Sequence, residues 1–159
     1  TLLPVFADEV LSGDVSRYGW LLMSIGVGGM IGAATLATVG TLRNSAAIHL
    51  VVGAGLGVSL MVFSQVTWFP AALSALGLVG GFSVMFLTIN NTMVQGVVDE
   101  EFRGRIMSLH QLTWGVTAIG GLLMGTLAQL TDAPVSLLLA GLVTLVGTTA
   151  FSVSIVRKW

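Results

Sequence analysis

The chain has 159 residues, of which 55% are hydrophobic and only 8% charged, with a formal net charge of −1 and no cysteine. Six basic and seven acidic side chains cannot cover the surface of a water-soluble globule this size, and they form no basic footprint for nucleic acid. Disulfides and thiolate metal sites are excluded as well, which leaves an integral membrane protein whose main partner is the lipid bilayer.

Residues 1–11, reading Thr-Leu-Leu-Pro-Val-Phe-Ala-Asp-Glu-Val-Leu, have the character of the end of a span. The chain opens on Thr, with no charged segment followed by a cleavable apolar one, and is read as a C-terminal piece preceded by further chain. Asp8, Glu9, Asp14 and Arg17 then close this partial span, and residues 18–42 hold no Asp, Glu, Lys or Arg. A hydrocarbon core about 30 Å thick takes about 20 helical residues to cross, so 18–42 is one complete span. After Arg43 the charge-free stretch 44–98 is long enough for two. It breaks at Ser64-Gln65-Val66-Thr67-Trp68-Phe69-Pro70, where polar residues, an interfacial Trp and a helix-starting Pro coincide. The expected spans are therefore 46–64 and 69–95, then 105–130 beyond the charged loop 99–105, and 134–156 beyond Asp132. Segments such as Leu137-Leu138-Leu139-Ala140-Gly141-Leu142-Val143 are apolar on every face, which excludes the alternating pattern of a barrel strand. The fold class is an all-α, polytopic transmembrane helix bundle.

With five complete crossings the loops alternate sides. Arg43, Arg103, Arg105, Arg157 and Lys158 fall on one side, and Arg17 alone falls on the other, with Asp8, Glu9, Asp14 and Asp132. Because positive charge is retained on the cytoplasmic face, the first group and the C-terminus are expected inside, in the inner or plasma membrane of the cell.

Helices already in lipid associate by close packing, and small residues four apart let backbones approach. Gly28/Gly32, Gly53/Gly57, Gly77/Gly81 and Gly121/Gly125 repeat this pattern through the first four complete spans, and the fifth has the looser Gly141 and Gly147. So much glycine also weakens helices locally, which suits spans that bend or slide.

No metal, phosphate or nucleophile motif is present, so neither a cofactor nor an enzymatic reaction is expected. His49 and His110 lie in different spans near the expected cytoplasmic end, where an imidazole reaches headgroups. Polar residues within spans are more informative. Asn90, Asn91 and Gln95 lie in the cytoplasmic half of 69–95, and Gln111, Thr113, Trp114 and Thr117 lie in the matching half of 105–130. Amides in hydrocarbon need partners, so these residues should face the bundle interior or a wet cavity. Asn91 and Gln95 share a helical face, as do Thr113 and Thr117. They either line a route for a small-molecule substrate or glue the helices together. No acid or base lies deep in a complete span. If transport is proton-driven, its titrating carboxylate is expected upstream of this piece, with Asp8 and Glu9 as weak candidates.

The loop Asp99-Glu100-Glu101-Phe102-Arg103-Gly104-Arg105-Ile106-Met107-Ser108-Leu109 resembles the Arg-Gly-Arg-x-x-Ser signature before the eleventh helix of major facilitator superfamily exporters. The branch it most resembles contains the enterobactin exporter and macrolide-efflux-like proteins. Leu3-Pro4-Val5-Phe6-Ala7 is similar to the end of that family's seventh helix, and Tyr18-Gly19-Trp20-Leu21-Leu22 to the opening of its eighth. The glycine run Gly115 to Gly125 and the Asn91…Gln95 pair also fit. One departure is Asp99, which stands where the family usually has proline. The resemblance implies the C-terminal six-helix half of a twelve-helix carrier, with an absent N-terminal half as partner. It further implies alternating access, proton-coupled antiport, and export of small amphipathic molecules of drug or siderophore type. In that family the seventh, eighth, tenth and eleventh helices line the cavity, which places the polar strip on two cavity helices. By the same resemblance Arg103, Arg105 and Arg43 belong to a cytoplasmic gate. The residues alone also admit a non-transporting membrane scaffold or a membrane-embedded enzyme, which the chain upstream of Thr1 would distinguish.

Overall fold

The computed structural model describes residues 15–39, 45–98, 101 and 103–156. They form five helices: α1 (Val15–Val39), α2 (Ser45–Gln65), α3 (Phe69–Val97), α4 (Arg103–Leu130) and α5 (Ala133–Val156). There is no strand among the described residues. The stretches Arg17–Thr38, Ala47–Gln65, Phe69–Gly96 and Ala133–Phe151 are each long and apolar enough to cross a membrane. In α4 the continuous apolar stretch among the described residues is Gly115–Leu130. The partial span expected over 1–11 and the loop carrying Arg43 lie outside the described residues.

The helix ends have local causes. α2 closes with the Val66 amide donating to the Phe63 carbonyl at 3.2 Å. Trp68 is extended (φ −98°, ψ 123°) and turns the chain, and Pro70 sits in the first turn of α3, where its missing N–H removes no helical bond. The Ala72 amide then makes the first bond of α3, to the Trp68 carbonyl at 3.0 Å. Between α4 and α5 the reversal takes only Thr131 and Asp132. The Thr131 amide donates back to Leu127 at 2.9 Å, and the Ser136 amide to Asp132 at 3.1 Å.

The packing order differs from the chain order. α1 packs on α3, α3 on α2, α2 on α5, and α5 makes a lighter contact with α4. α1 and α3 run parallel, matched at a constant offset of 49 residues: Ser24 meets Leu73, Gly28 meets Gly77 and Gly32 meets Gly81. A Cβ on Gly28, Gly32 or Gly80 would run into the backbone of the opposite helix, so this seam is backbone against backbone, the arrangement that small residues four apart permit. The second seam, α2 on α5, is antiparallel. Gly53 lies against the Thr148 side chain, and a Cβ on Gly57 would stand 2.9 Å from the Gly141 carbonyl oxygen. The expected glycine pairs thus become two specific interfaces. Gly125 is different: nothing lies within 4 Å of a Cβ there.

At one end of the bundle Leu21, Phe63, Ala72, Ala75, Leu76 and Ala133 form a buried cluster. This brings the start of α1, the end of α2 and the starts of α3 and α5 to the same level. The Arg17 guanidinium lies over the Phe69 ring at 5.6 Å, also at this end. Elsewhere apolar side chains point outward in numbers no water-soluble surface carries. On α4 alone Leu109, Leu112, Val116, Ile119, Leu122 and Leu123 are all exposed. In lipid this is an ordinary helix surface, because tails are as apolar as leucine.

Candidate functional site

At the end of the bundle opposite that cluster, the start of α2 faces the end of α3 and the end of α5. His49, in the first turns of α2, is only 3% exposed. Its Nε2 lies 3.2 Å from Asn90 Oδ1 on α3. An amide oxygen only accepts, so Nε2 carries the proton and donates. The imidazole is flanked by two rings, Phe86 of α3 at 4.8 Å between centroids and Phe151 of α5 at 5.3 Å, both tilted as aromatic neighbours prefer. The remaining ring nitrogen, Nδ1, is buried and has no hydrogen-bond partner among the described residues. This contradicts the expectation that His49 reaches the headgroups, since the adjacent α3 and α5 close over it. Sequence reasoning missed the site because its members come from three helices. The only signal was a histidine and an asparagine in neighbouring charge-free spans.

His49, Phe86, Asn90, Val143, Thr144, Gly147, Thr148 and Phe151 enclose a pocket of about 380 Å³. Val143 and Gly147 are exposed, so the pocket opens at the bundle surface along α5. The two threonine hydroxyls donate into their own helix, Thr144 to the Ala140 carbonyl at 2.8 Å and Thr148 to the Thr144 carbonyl. Helices α2, α3 and α5 contain no Asp, Glu, Lys or Arg, so this polar cluster holds no charged side chain among the described residues.

A second, larger groove of about 710 Å³ runs between α1 and α3. Its floor is the glycine seam, and Ser24, Val27, Ile31, Leu78, Phe82 and Met85 contribute to its walls. A polar link across it is Ser24 Oγ donating to the Leu73 carbonyl at 2.5 Å.

The polar residues singled out in sequence are dispersed. Asn90 is turned to α2, where it meets His49. Asn91, about 100° further round the helix, is half-buried, and Gln95 is exposed. Gln111 and Thr117 are exposed on α4, and the side chains of Thr113 and Trp114 lie outside the described residues. α4 shares no extended interface with α3 among the described residues, so the two halves of the strip are not brought into one wall. Arg105 is exposed in the first turn of α4, where its carbonyl accepts from Ser108 Oγ at 2.7 Å. The side chains of Arg103 and His110 lie outside the described residues. No cluster of three or more His, Cys, Asp or Glu that could hold a metal occurs among the described residues.

Comparison with known proteins agrees with this picture of long apolar helices. The family described as transmembrane secretion effector matches residues 1–159. The multidrug efflux pump Tap of Mycolicibacterium fortuitum is 26% identical over 117 residues, covering 73% of this chain and 29% of Tap. The matched region is thus under a third of the length of that pump. No solved structure matches the chain. With its sequence matched from end to end and its helices long and apolar, the chain belongs to the transmembrane secretion effector family of the major facilitator superfamily.

Proposed function

We propose that this chain is the C-terminal half of a secondary active exporter that moves small amphipathic molecules by alternating access, in exchange for protons. The observation that carries this reading is the family match across residues 1–159. The bundle supports it by what it leaves uncovered. α1 and α3 present an open groove, and α4 is almost bare of helix contacts, as a half carrier would be before its partner half is added. The similarity to a multidrug efflux pump favours drug-like substrates, and the resemblance of the 99–109 loop to the enterobactin-exporter and macrolide-efflux-like branch adds siderophores. In this proposal the C-terminus and Arg43, Arg103 and Arg105 are cytoplasmic, and these arginines close the inner gate. Asn91, Gln95, Gln111, Thr113, Trp114 and Thr117 complete a cavity shared with the N-terminal half, with Asn90 anchored behind them.

The test is transport by the full-length carrier in proteoliposomes, with ethidium and a catecholate siderophore as probes. An imposed pH gradient should drive accumulation of one of them, and a protonophore should abolish it. The 159-residue piece alone should move neither. Movement of both probes indifferent to the gradient, or transport by the isolated piece, overturns the reading.

A further inference from the structure

The four closely packed helices are joined in two different ways. Across the α1–α3 and α2–α5 seams backbone meets backbone, as at Gly28 on Gly77, Gly32 on Gly81 and Gly57 on Gly141. No change of rotamer can absorb a shift there, so α1 travels with α3 and α5 with α2. The α2–α3 joint that links these two pairs is made of side chains. Near its middle the Phe82 ring lies against Gly55, and its two ends are unlike. At one end Phe63 of α2 is buried with Ala72, Ala75 and Leu76 of α3 in an all-apolar cluster. At the other end the joint is held by the bond between His49 and Asn90 at 3.2 Å. This end is also loosely filled. A pocket of about 380 Å³ lies beside the bond, lined by Phe86 and Asn90 from one pair and by His49, Thr144 and Phe151 from the other.

We propose that His49 and Asn90 form a poised catch at which the α1–α3 pair and the α2–α5 pair part and rejoin, pivoting on the Phe63 cluster. The imidazole makes one of its two hydrogen bonds and lacks the other, since Nδ1 is buried with no partner among the described residues. A buried acceptor without a hydrogen bond is expensive, and here the cost exists only while the joint is shut. Once α2 and α3 part at this end, water satisfies Nδ1 and takes over both halves of the bond between Nε2 and Asn90. Parting at the Phe63 end would instead expose apolar surface and gain nothing. The satisfied bond therefore closes the catch, and the unsatisfied nitrogen keeps the closed form shallow, as a two-state element requires. The device belongs to this chain's own helices and does not depend on whether the protein transports anything.

The experiment measures distances between paired spin labels in the full-length protein in nanodiscs, with any other cysteine replaced. Ala47→Cys with Thr92→Cys spans the joint at the His49 end, and Val62→Cys with Ser74→Cys spans it at the Phe63 end. Met30→Cys with Leu78→Cys spans the α1–α3 seam, and all six positions are exposed. The Ala47–Thr92 pair should show a short and a long distance, and each of the other pairs a single one. Asn90→Leu strands the Nε2 proton as well, and should raise the ratio of long to short about five- to tenfold, the range one such hydrogen bond supplies. His49→Phe combined with Asn90→Leu makes this end apolar and should shift the ratio the other way, leaving the short distance alone. The double variant carries the test if Asn90→Leu does not fold. A ratio that neither variant alters, a shift in the same direction by both, or a second distance across either control pair overturns the proposal. Since none of these readouts measures transport, a failed exporter assay and a failed catch are separable.

Discussion

Gly28 of α1 rests on the backbone of Gly77 of α3, so closely that a methyl group on Gly28 would meet the Gly77 carbonyl. One turn on, Gly32 has the same relation to Gly81, and one turn back, Ser24 donates to the Leu73 carbonyl. The contact is close because α1 places Ser24, Gly28 and Gly32, and α3 places Gly77 and Gly81, on the facing side. It holds α1 to the rest of the bundle.

Substitution at this seam should therefore differ sharply from substitution at an open glycine. Gly28→Ala forces α1 and α3 apart and is expected to destabilise the bundle by about 1–3 kcal/mol, the usual range for overpacking. Gly147→Ala, with open space around it, should leave stability unchanged or raised, since alanine is the better helix former. Unfolding titrations in mixed micelles would measure both. Equal effects at the two positions would contradict the packing described.

The bond between His49 and Asn90 is testable on its own. Asn90→Leu leaves the Nε2 proton buried without an acceptor and is expected to cost about 1–3 kcal/mol. Adding His49→Phe removes the stranded group, so the double variant should be more stable than the sum of the single losses implies, with a coupling of about 0.5–3 kcal/mol. Additive losses would mean that the two side chains do not interact.

Sidedness can be read by labelling, because the chain has no cysteine to interfere. Arg105 and Asp132 are both exposed and flank α4 at opposite ends. The 28 residues of that helix, at about 1.5 Å each, reach across a bilayer. Asp132→Cys should react with an impermeant maleimide on intact cells, and Arg105→Cys only after permeabilisation. The reverse pattern would invert the proposed topology.

If the arginines of the 99–105 loop form a gate, their removal acts on the conformational step. Arg103→Ala and Arg105→Ala in the full-length carrier should slow turnover several-fold while changing substrate affinity little, measured as transport rate against equilibrium binding. Unchanged turnover in both variants would remove the gate assignment.

Much of this protein was legible before any helix was placed, and the reason lies in the solvent. Lipid demands that each crossing be helical, about 20 residues long and free of unpaired charge. These are local, one-dimensional requirements, so the charge gaps between Arg17 and Asp132 mark out the helices, and Trp68 with Pro70 marks the α2–α3 break. The glycine spacing likewise announces that backbones will touch. Which backbones touch is another matter. Gly28 and Gly77 are far apart in the chain, and nothing in either helix names the other. Only packing in three dimensions pairs α1 with α3 and α2 with α5, and leaves α4 on the flank. The same holds for His49. In sequence it is a histidine near the end of a span, indistinguishable from one that reaches water. The closing of Asn90, Phe86 and Phe151 around it makes it a buried acceptor, because burial belongs to the assembly of helices and to no single one.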